Sequence, residues 1–312
     1  MINELADRIV DNVSLAVKGK RRELRVICAA MLAGGHVLLE DVPGTGKTLL
    51  ARTLAKSVDA GFRRIQFTPD LLPSDITGIN FFNMKQQEFQ LRKGPVFSNI
   101  ILADEINRAT PRTQSAMLEC MEEKQVSSDG TTYPLPAPFF VIATQNPVET
   151  QGTFPLPEAQ LDRFMVQLSM GYPTREEQTA ILQRFMQESP QESLRPVANA
   201  EQIAQAQKAA RSVRVAPELL DYIGALCEKT RALDDALLGA SPRAALALMR
   251  VSQSLAAIRG RDYVTPEDIK TMAEPVLAHR LILRTAYGRR GRAAEAVGEV
   301  LASVPVPTET IE

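Results

Sequence analysis

His36-Val37-Leu38-Leu39-Glu40-Asp41-Val42-Pro43-Gly44-Thr45-Gly46-Lys47-Thr48 decides how the rest of the chain is read. Val37-Leu38-Leu39 is a short apolar run and reads as a buried strand. Pro43, Gly44 and Gly46 break it, and Leu49 to Lys56 reads as a helix. Strand, glycine-rich turn, Lys-Thr and helix together form the setting of a phosphate-binding loop. Glycines allow backbone N–H groups to converge without a Cβ clash, and the helix N-terminus adds partial positive charge. Pro43, Gly44, Thr45, Gly46, Lys47, Thr48 and Leu49 are the candidate nucleotide cradle. Lys47 would neutralise β- and γ-phosphate oxygens, and the Thr48 hydroxyl would hold Mg²⁺. The general pattern G-x-x-x-x-G-K-[ST] begins with Gly, whereas this chain has Asp41. That position precedes the cradle, so the substitution is expected to be tolerated. The plainer alternative is a turn that binds nothing.

The chain has 312 residues, enough for two domains. Hydrophobic content of 45% and charged content of 23% fit a soluble globular protein. A net charge of −1 argues against a partner such as bulk DNA. Cys28, Cys120 and Cys227 lie far apart and read as buried thiols, not as a disulfide framework or zinc site. His36 and His279 lack metal-ligand spacing and read as structural. Glu4, Asp7 and Asp11 interrupt the first stretch, which has no apolar core of signal-peptide type, and no run reaches membrane-spanning length. The expected location is cytoplasmic.

Ile2, Leu5, Ile9, Val13 and Val17 recur at helical spacing, and a second helix is expected from about Arg22 to Leu32. Past the phosphate loop, Phe62–Phe67 reads as a strand and Thr68–Thr77 as a loop with a short helix. Ile79–Leu91 reads as a hairpin, and Gln125–Leu135 as another, with Asp129-Gly130 at its turn. Ile100–Ala103, Phe139–Ala143 and Met165–Leu168 are the remaining strands, and Thr110-Pro111 opens a helix. Thr174-x-x-Glu177 is a capping box, after which helices are expected at about 175–188, 199–211, 217–231, 242–260 and 266–284. The expected domains are an α/β core over 1–173, a helical domain over 174–287, and a tail over 288–312 that frays in part.

The partners of the phosphate loop carry the chemistry. Asp104 ends an apolar strand and suits a Mg²⁺ ligand through water, and Glu105 beside it could polarise an attacking water. The alternative is an ordinary charged strand end. Asn146 ends the next strand and could orient that water or contact the γ-phosphate, although Asn before Pro also starts turns. Arg163, in Leu161-Asp162-Arg163-Phe164, could serve a neighbouring subunit's nucleotide, with Arg108 and Arg112 as rivals and an ion pair with Asp162 as the plain alternative. In Ala240-Ser241-Pro242-Arg243, Ser241 and Pro242 fix a helix start. Arg243 in that first turn opposes the helix dipole and therefore calls for an anionic partner, which a γ-phosphate could be.

These residues resemble the AAA+ set. Gly44–Thr48 looks like Walker A, Ile100–Glu105 like Walker B, Asn146 like sensor 1, Arg163 like the arginine finger and Ala240–Arg243 like the sensor 2 segment. Asp104–Ala109, Ala143–Pro147 and Pro155–Phe164 narrow the resemblance to the MoxR family, over roughly residues 15–285. The resemblance implies a P-loop NTPase core with a parallel five-stranded sheet, followed by a small all-helical lid. It implies ATP and Mg²⁺ as ligands, with ATP between core and lid and Arg243 on the γ-phosphate. It also implies a homo-oligomer, as a hexameric ring, with 79–91 and 125–135 as hairpins facing the pore or a substrate. Chaperone-like activity, metal-cofactor insertion and partners with von Willebrand factor A domains follow by the same likeness. Family members often carry Gln after the glycine that corresponds to Gly19, where this chain has Lys20. Two other classes stay open: a nucleotide-gated scaffold without turnover, and a nucleic-acid motor suggested by Arg280, Arg284, Arg289, Arg290 and Arg292. Near-neutral charge weighs against the motor.

Overall fold

Leu5, Ile9 and Val13 bury one stripe of α1 (Ile2–Ala16), as the four-residue apolar spacing requires. The structure is a computed structural model and describes residues 1–41, 44–146, 152–185, 194–284 and 289–307. In α2 (Arg21–Ala33) everything from Val26 to Ala33 is buried, because α1 and two later helices cover it from several sides. Gly34 ends it with φ of 77°, a left-handed value that glycine adopts without penalty. β1 (Val37–Glu40) enters the core, and α3 (Lys47–Ser57) leaves the phosphate loop. β2 (Phe62–Gln66), α4 (Pro73–Thr77) and the hairpin of β3 (Gly78–Asn83) and β4 (Glu88–Lys93) follow. Then come β5 (Ile100–Asp104), α5 (Pro111–Glu123), the hairpin of β6 (Gln125–Ser128) and β7 (Thr131–Pro134), β8 (Phe140–Gln145), α6 (Glu158–Leu161) and β9 (Val166–Leu168).

Five strands form one parallel sheet in the order β2-β5-β8-β1-β9. Every residue of β5 is buried, as its unbroken apolar run predicts for a central parallel strand. Period-two alternation sorts β1 onto two cores. Val37 and Leu39 join α1, α2 and α3, whereas Leu38 joins Met117, Leu118 and Met121 of α5. The Asp129-Gly130 turn has φ of 48° and 77°, the two positive values that a tight hairpin turn needs. The other hairpin lacks such a pair. There the Asn83 side chain instead accepts from the N–H groups of Lys85 and Gln86.

The helical region comprises α7 (Arg175–Phe185), α8 (Ala200–Ala210), α9 (Pro217–Arg231), β10 (Ala236–Leu238), α10 (Pro242–Ile258), α11 (Pro266–Leu277), β11 (Ile282–Leu283) and α12 (Arg289–Ser303). Thr174 and Glu177 exchange the two hydrogen bonds of the expected capping box. The first apolar cluster continues from the sheet face through α1 and α2 into these helices. One expectation needs correction. The helix expected over 266–284 stops at Leu277, and Ile282–Leu283 pairs antiparallel with β10. Pro275 lacks an amide donor, and the Arg280 guanidinium donates to the Val276 carbonyl that a continuing helix would give to the Arg280 N–H. Within the tail expected to fray in part, α12 is helical, with Ala293, Ala296, Val297 and Val300 buried at helical spacing against α9 and α11, and residues 308–312 lie outside the described residues. Small side chains hid that stripe. Residues 186–188 of the expected α7 lie outside the described residues.

All three cysteines are free and buried, and burial pushes the Cys28 and Cys120 thiols up to about 12. His36 is also buried. Its Nδ1 accepts from the Val141 N–H at 3.0 Å, so the ring is neutral and its Nε2–H donates to the Met121 carbonyl at 3.0 Å. Burial pulls its pKa down to about 4 from 6.5. The unfolded chain therefore binds the extra proton first, and stability contributed by His36 above pH 6.5 is lost as the pH falls towards 4. The loss proceeds at up to about 1.4 kcal/mol per pH unit. Urea unfolding should show His36→Gln as the less stable protein at pH 7, with the gap narrowing by roughly 2 kcal/mol at pH 5. A gap independent of pH would refute the buried neutral ring.

Candidate functional site

The C-terminal ends of the parallel strands gather one set of groups. After β1, Gly44 and Gly46 both have φ of 83°, and Gly46 caps α3 so that Lys47 and Thr48 lie in its first turn. A Cβ added at Gly44 or Gly46 would meet no atom within 4 Å among the described residues, so the loop stands open above the helix N-terminus. Thr45 and Leu49 are half-buried in the same turn, whereas Pro43 lies outside the described residues. Lys47 Nζ donates to the Asp41 carbonyl oxygen at 3.0 Å, which tethers the side chain at the loop.

Asp41 departs from the loop pattern for a visible reason. Its buried carboxylate accepts from the Met170 and Gly171 N–H groups and, at 3.0 Å, from Ser169 Oγ. It joins the base of the phosphate loop to the chain leaving β9, and it points away from the cradle. Lys20, the other departure, is half-buried and donates to the Tyr172 carbonyl at 3.4 Å.

Asp104 ends β5, and Glu105 follows with φ of 57°, a strained value for a side chain of this kind. Thr144 holds both. Its hydroxyl donates to Asp104 Oδ1 at 2.7 Å and accepts from the Glu105 N–H at 2.8 Å. Arg64 Nε donates to Asp104 Oδ2 at 2.9 Å, while Gln66 and Arg108 donate to Glu105 Oε2 at 2.7 and 3.1 Å. Asn146 follows β8, the strand between β5 and β1, and is half-buried at the same end of the sheet. An open loop on a helix N-terminus, a lysine, a hydroxyl and a carboxylate at one edge suit a nucleoside triphosphate with Mg²⁺. Thr144, Arg64 and Gln66 were not singled out from sequence. The two β2 residues are signalled only by polar alternation on an edge strand.

Arg163 and Arg243 lie elsewhere. Arg163 precedes β9, and β9 runs parallel to β1, so Arg163 sits at the N-terminal end of the strands. The four residues of β1, about 13 Å of strand, separate that end from the phosphate loop. Arg243 stands beside it. Arg163 Nε pairs with Glu122 at 3.2 Å, and Arg243 pairs with the other oxygen of the same carboxylate. Ser241 caps α10 as expected, accepting from the Ala244 N–H, and its hydroxyl donates to Asp162. The anionic partner that Arg243 called for is thus Glu122 of its own chain. Paired with Glu122 beside Arg163, Arg243 stands at the opposite end of the sheet from the phosphate loop of its own chain. Asp162 pairs with Arg280, not with Arg163. Arg108 stays on Glu105 of its own chain, and Arg112 is exposed at the start of α5.

The C-terminal basic cluster disperses. Arg280 is buried, and Arg292 pairs with Asp235 and Glu299. The side chains of Arg289 and Arg290 lie outside the described set. The exposed apolar residues Phe81, Phe82, Met84 and Phe89 stand on the β3–β4 hairpin, which Asn80 ties to Ser128 of the second hairpin. Among the described residues, no helix is long and apolar enough to cross a membrane.

Sheet order, phosphate loop and helical appendage define an AAA-type P-loop ATPase core with its lid. The model of the ATPase family associated with various cellular activities matches residues 36–166, and the AAA lid domain model matches 228–300, which takes in most of α12. YeaC of Bacillus subtilis, an uncharacterised protein, is 48% identical over 99% of this chain and 97% of its own length. Chaperone MoxR1 of Mycobacterium tuberculosis is 42% identical over 89% of this chain and 75% of its own. A crystal structure from Cytophaga hutchinsonii, of a protein proposed to be an ATPase, superposes with a TM-score of 0.89 at 41% identity, covering 98% of this chain and 96% of that one. The chain belongs to the MoxR family of AAA+ ATPases.

The Asp41 bonds give a direct test. Asp41→Gly restores the general loop pattern but strips buried donors of their acceptor, and it should lower unfolding stability by about 1–3 kcal/mol. Asp41→Asn, which keeps an acceptor oxygen, should lose less. Equal stability of all three proteins in urea would show that the carboxylate carries no structural role.

Proposed function

We propose that the protein hydrolyses ATP at the junction between identical copies, arranged as a hexameric ring, and uses the cycle to remodel or mature a partner protein complex. The observation that carries this reading is the division of one site into two halves. Nucleotide-binding groups gather at one edge of the sheet, while Arg163 and Arg243 stand together at the other. Neither half is complete in one chain, and a head-to-tail contact between copies would join them.

In this reading Lys47 and the N–H groups at the start of α3 bind the β- and γ-phosphates, and Thr48 and Asp104 hold the metal ion. Mg²⁺ when bound supplies charge neutralisation on the phosphate oxygens. Asp104, held by Arg64 and Thr144 here, would be the carboxylate that supports that ion. Glu105 takes a proton from the attacking water once Gln66 and Arg108 release its carboxylate. Asn146 orients that water. Arg163 and Arg243 leave Glu122 to neutralise charge on the next subunit's terminal phosphate, where arginine fingers in other NTPases contribute roughly 10³–10⁵ in rate. The remodelling role rests on family likeness and on a relative called a chaperone. The exposed aromatic hairpin suits contact with a client, metal-cofactor insertion is one form such work could take, and a partner with a von Willebrand factor A domain belongs to the same likeness. A cytoplasmic setting accords with three free thiols.

Glu105→Gln should bind a fluorescent ATP analogue normally while phosphate release falls at least ~10²-fold. Lys47→Ala should lose binding. Arg163→Ala should bind yet fail to turn over, and mixing it with Glu105→Gln should restore turnover, because each copy supplies the half that the other lacks. A scaffold without turnover would show no phosphate release even from concentrated unmodified protein. A nucleic-acid motor would show salt-sensitive binding to DNA or RNA, which is not expected here.

A further inference from the structure

Arg280 is the most confined arginine of the ion pairs in the described chain, with its side chain 3% exposed. It lies in a short turn after α11, in the lid region. A guanidinium has five N–H donors in a fixed plane, and here all five are used. Nε donates to Asp162 Oδ1 at 2.6 Å. Nη2 donates to the carbonyl oxygens of Asp162 and Phe164, at 3.1 and 2.7 Å. Nη1 donates to the Met165 carbonyl at 3.3 Å and to that of Val276. Four of the five bonds therefore fall on residues 162, 164 and 165, which flank Arg163 on both sides. The Asp162 carboxylate held by Arg280 also accepts from Ser241, the N-cap of the helix whose first turn carries Arg243.

We propose that Arg280 is a positioning residue for catalysis in the adjacent subunit: from the lid, it fixes the backbone of the Arg163 segment, and through Asp162 and Ser241 it fixes Arg243. The proposal rests on the reading that these two arginines serve a neighbour's nucleotide. Arg280 does not touch that nucleotide itself. Its effect is geometric. A guanidinium aimed wrongly by an ångström loses a large part of its value, on the order of 10²-fold in rate. Lysine cannot replace it, because three donors on one nitrogen cannot reach a carboxylate and carbonyls spread around a plane. Because Arg280 belongs to the lid and Arg163 to the core, lid and finger move as one body. A lid displaced on hydrolysis in one subunit would shift the finger that the same subunit offers to the next.

The test separates this role from general stabilisation. Arg280→Ala and Arg280→Lys are mixed in turn with Glu105→Gln, which has an intact finger and no turnover, and with Arg163→Ala, which has an intact site and no finger. Each Arg280 variant alone should bind the fluorescent ATP analogue within about twofold of the unmodified protein but lose roughly 10²-fold in turnover. Mixing with Glu105→Gln should restore turnover to the level of the Arg163→Ala and Glu105→Gln mixture, and mixing with Arg163→Ala should restore none. Rescue by both partners, or by neither, overturns the proposal, since a variant damaged throughout would spoil its own site as well. Full activity of Arg280→Lys alone overturns it too. If Arg163→Ala and Glu105→Gln themselves fail to complement, the shared-site reading falls and takes this proposal with it. If Arg280→Ala does not fold, the same mixtures with Arg280→Lys decide the matter.

Discussion

A parallel sheet gives the chain only one direction in which to place its chemistry. Whatever follows a strand lies at one edge, and whatever precedes it lies at the other. Asp104 ends a strand, and Gly44–Thr48, Glu105 and Asn146 follow strands, so the parallel pairing of those strands alone brings them together. Arg163 precedes β9 and is kept away by the same rule. Ligand groups at the carboxyl ends of the strands are the general outcome in open α/β sheets. Here the rule has a second consequence: Arg163, and Arg243 beside it, stand at the far end of the sheet from the phosphate loop of their own chain.

Two kinds of ion pair follow from that separation, and they differ in how easily they can be exchanged. Arg163 and Arg243 are 30% and 46% exposed, and both share the partly exposed Glu122. Arg108 on Glu105 is of the same open type, and such pairs contribute about 0–1 kcal/mol, so they exchange at little cost. Arg64 on Asp104 is more enclosed, since that carboxylate is only 12% exposed. The Arg280–Asp162 pair is different. Its guanidinium is buried and every donor is used, so breaking it would leave an uncompensated buried charge. The two guanidiniums on Glu122 are thus held loosely, and the segment beside them is held tightly.

The phosphate loop, the acidic strand end and the sheet were legible because each is a local pattern: an apolar run, a glycine turn, a capped helix. Arg243 was legible only in part. Its helix start, set by Ser241 and Pro242, and its need for an anion could be read from neighbouring residues. The identity of the anion could not, because Glu122 is 121 positions away. The same limit hid Thr144 and Arg280, whose roles depend on residues 40 and more than 100 positions away. The α11 terminus failed for a related reason: a side-chain guanidinium captured the carbonyl that periodicity assigned to the backbone.

The strand β9 connects these observations. It has three residues, about 10 Å, and it forms one edge of the sheet with Val166 and Leu168 buried. Beyond its C-terminal end, residues 169–171 are bound by the carboxylate of Asp41 at the base of the phosphate loop. Before its N-terminal end, residues 162–165 are bound by Arg280 from the lid. A short extended segment clamped at both ends cannot stretch, and its backbone is paired to β1 along its length. The base of the phosphate loop is therefore joined to the Arg163 segment by the Asp41 hydrogen bonds, by β9 and by the chain leading back to residue 163. The lid joins that route at Arg280. The phosphate loop and the Arg163 segment are in this way tied to the two ends of one strand.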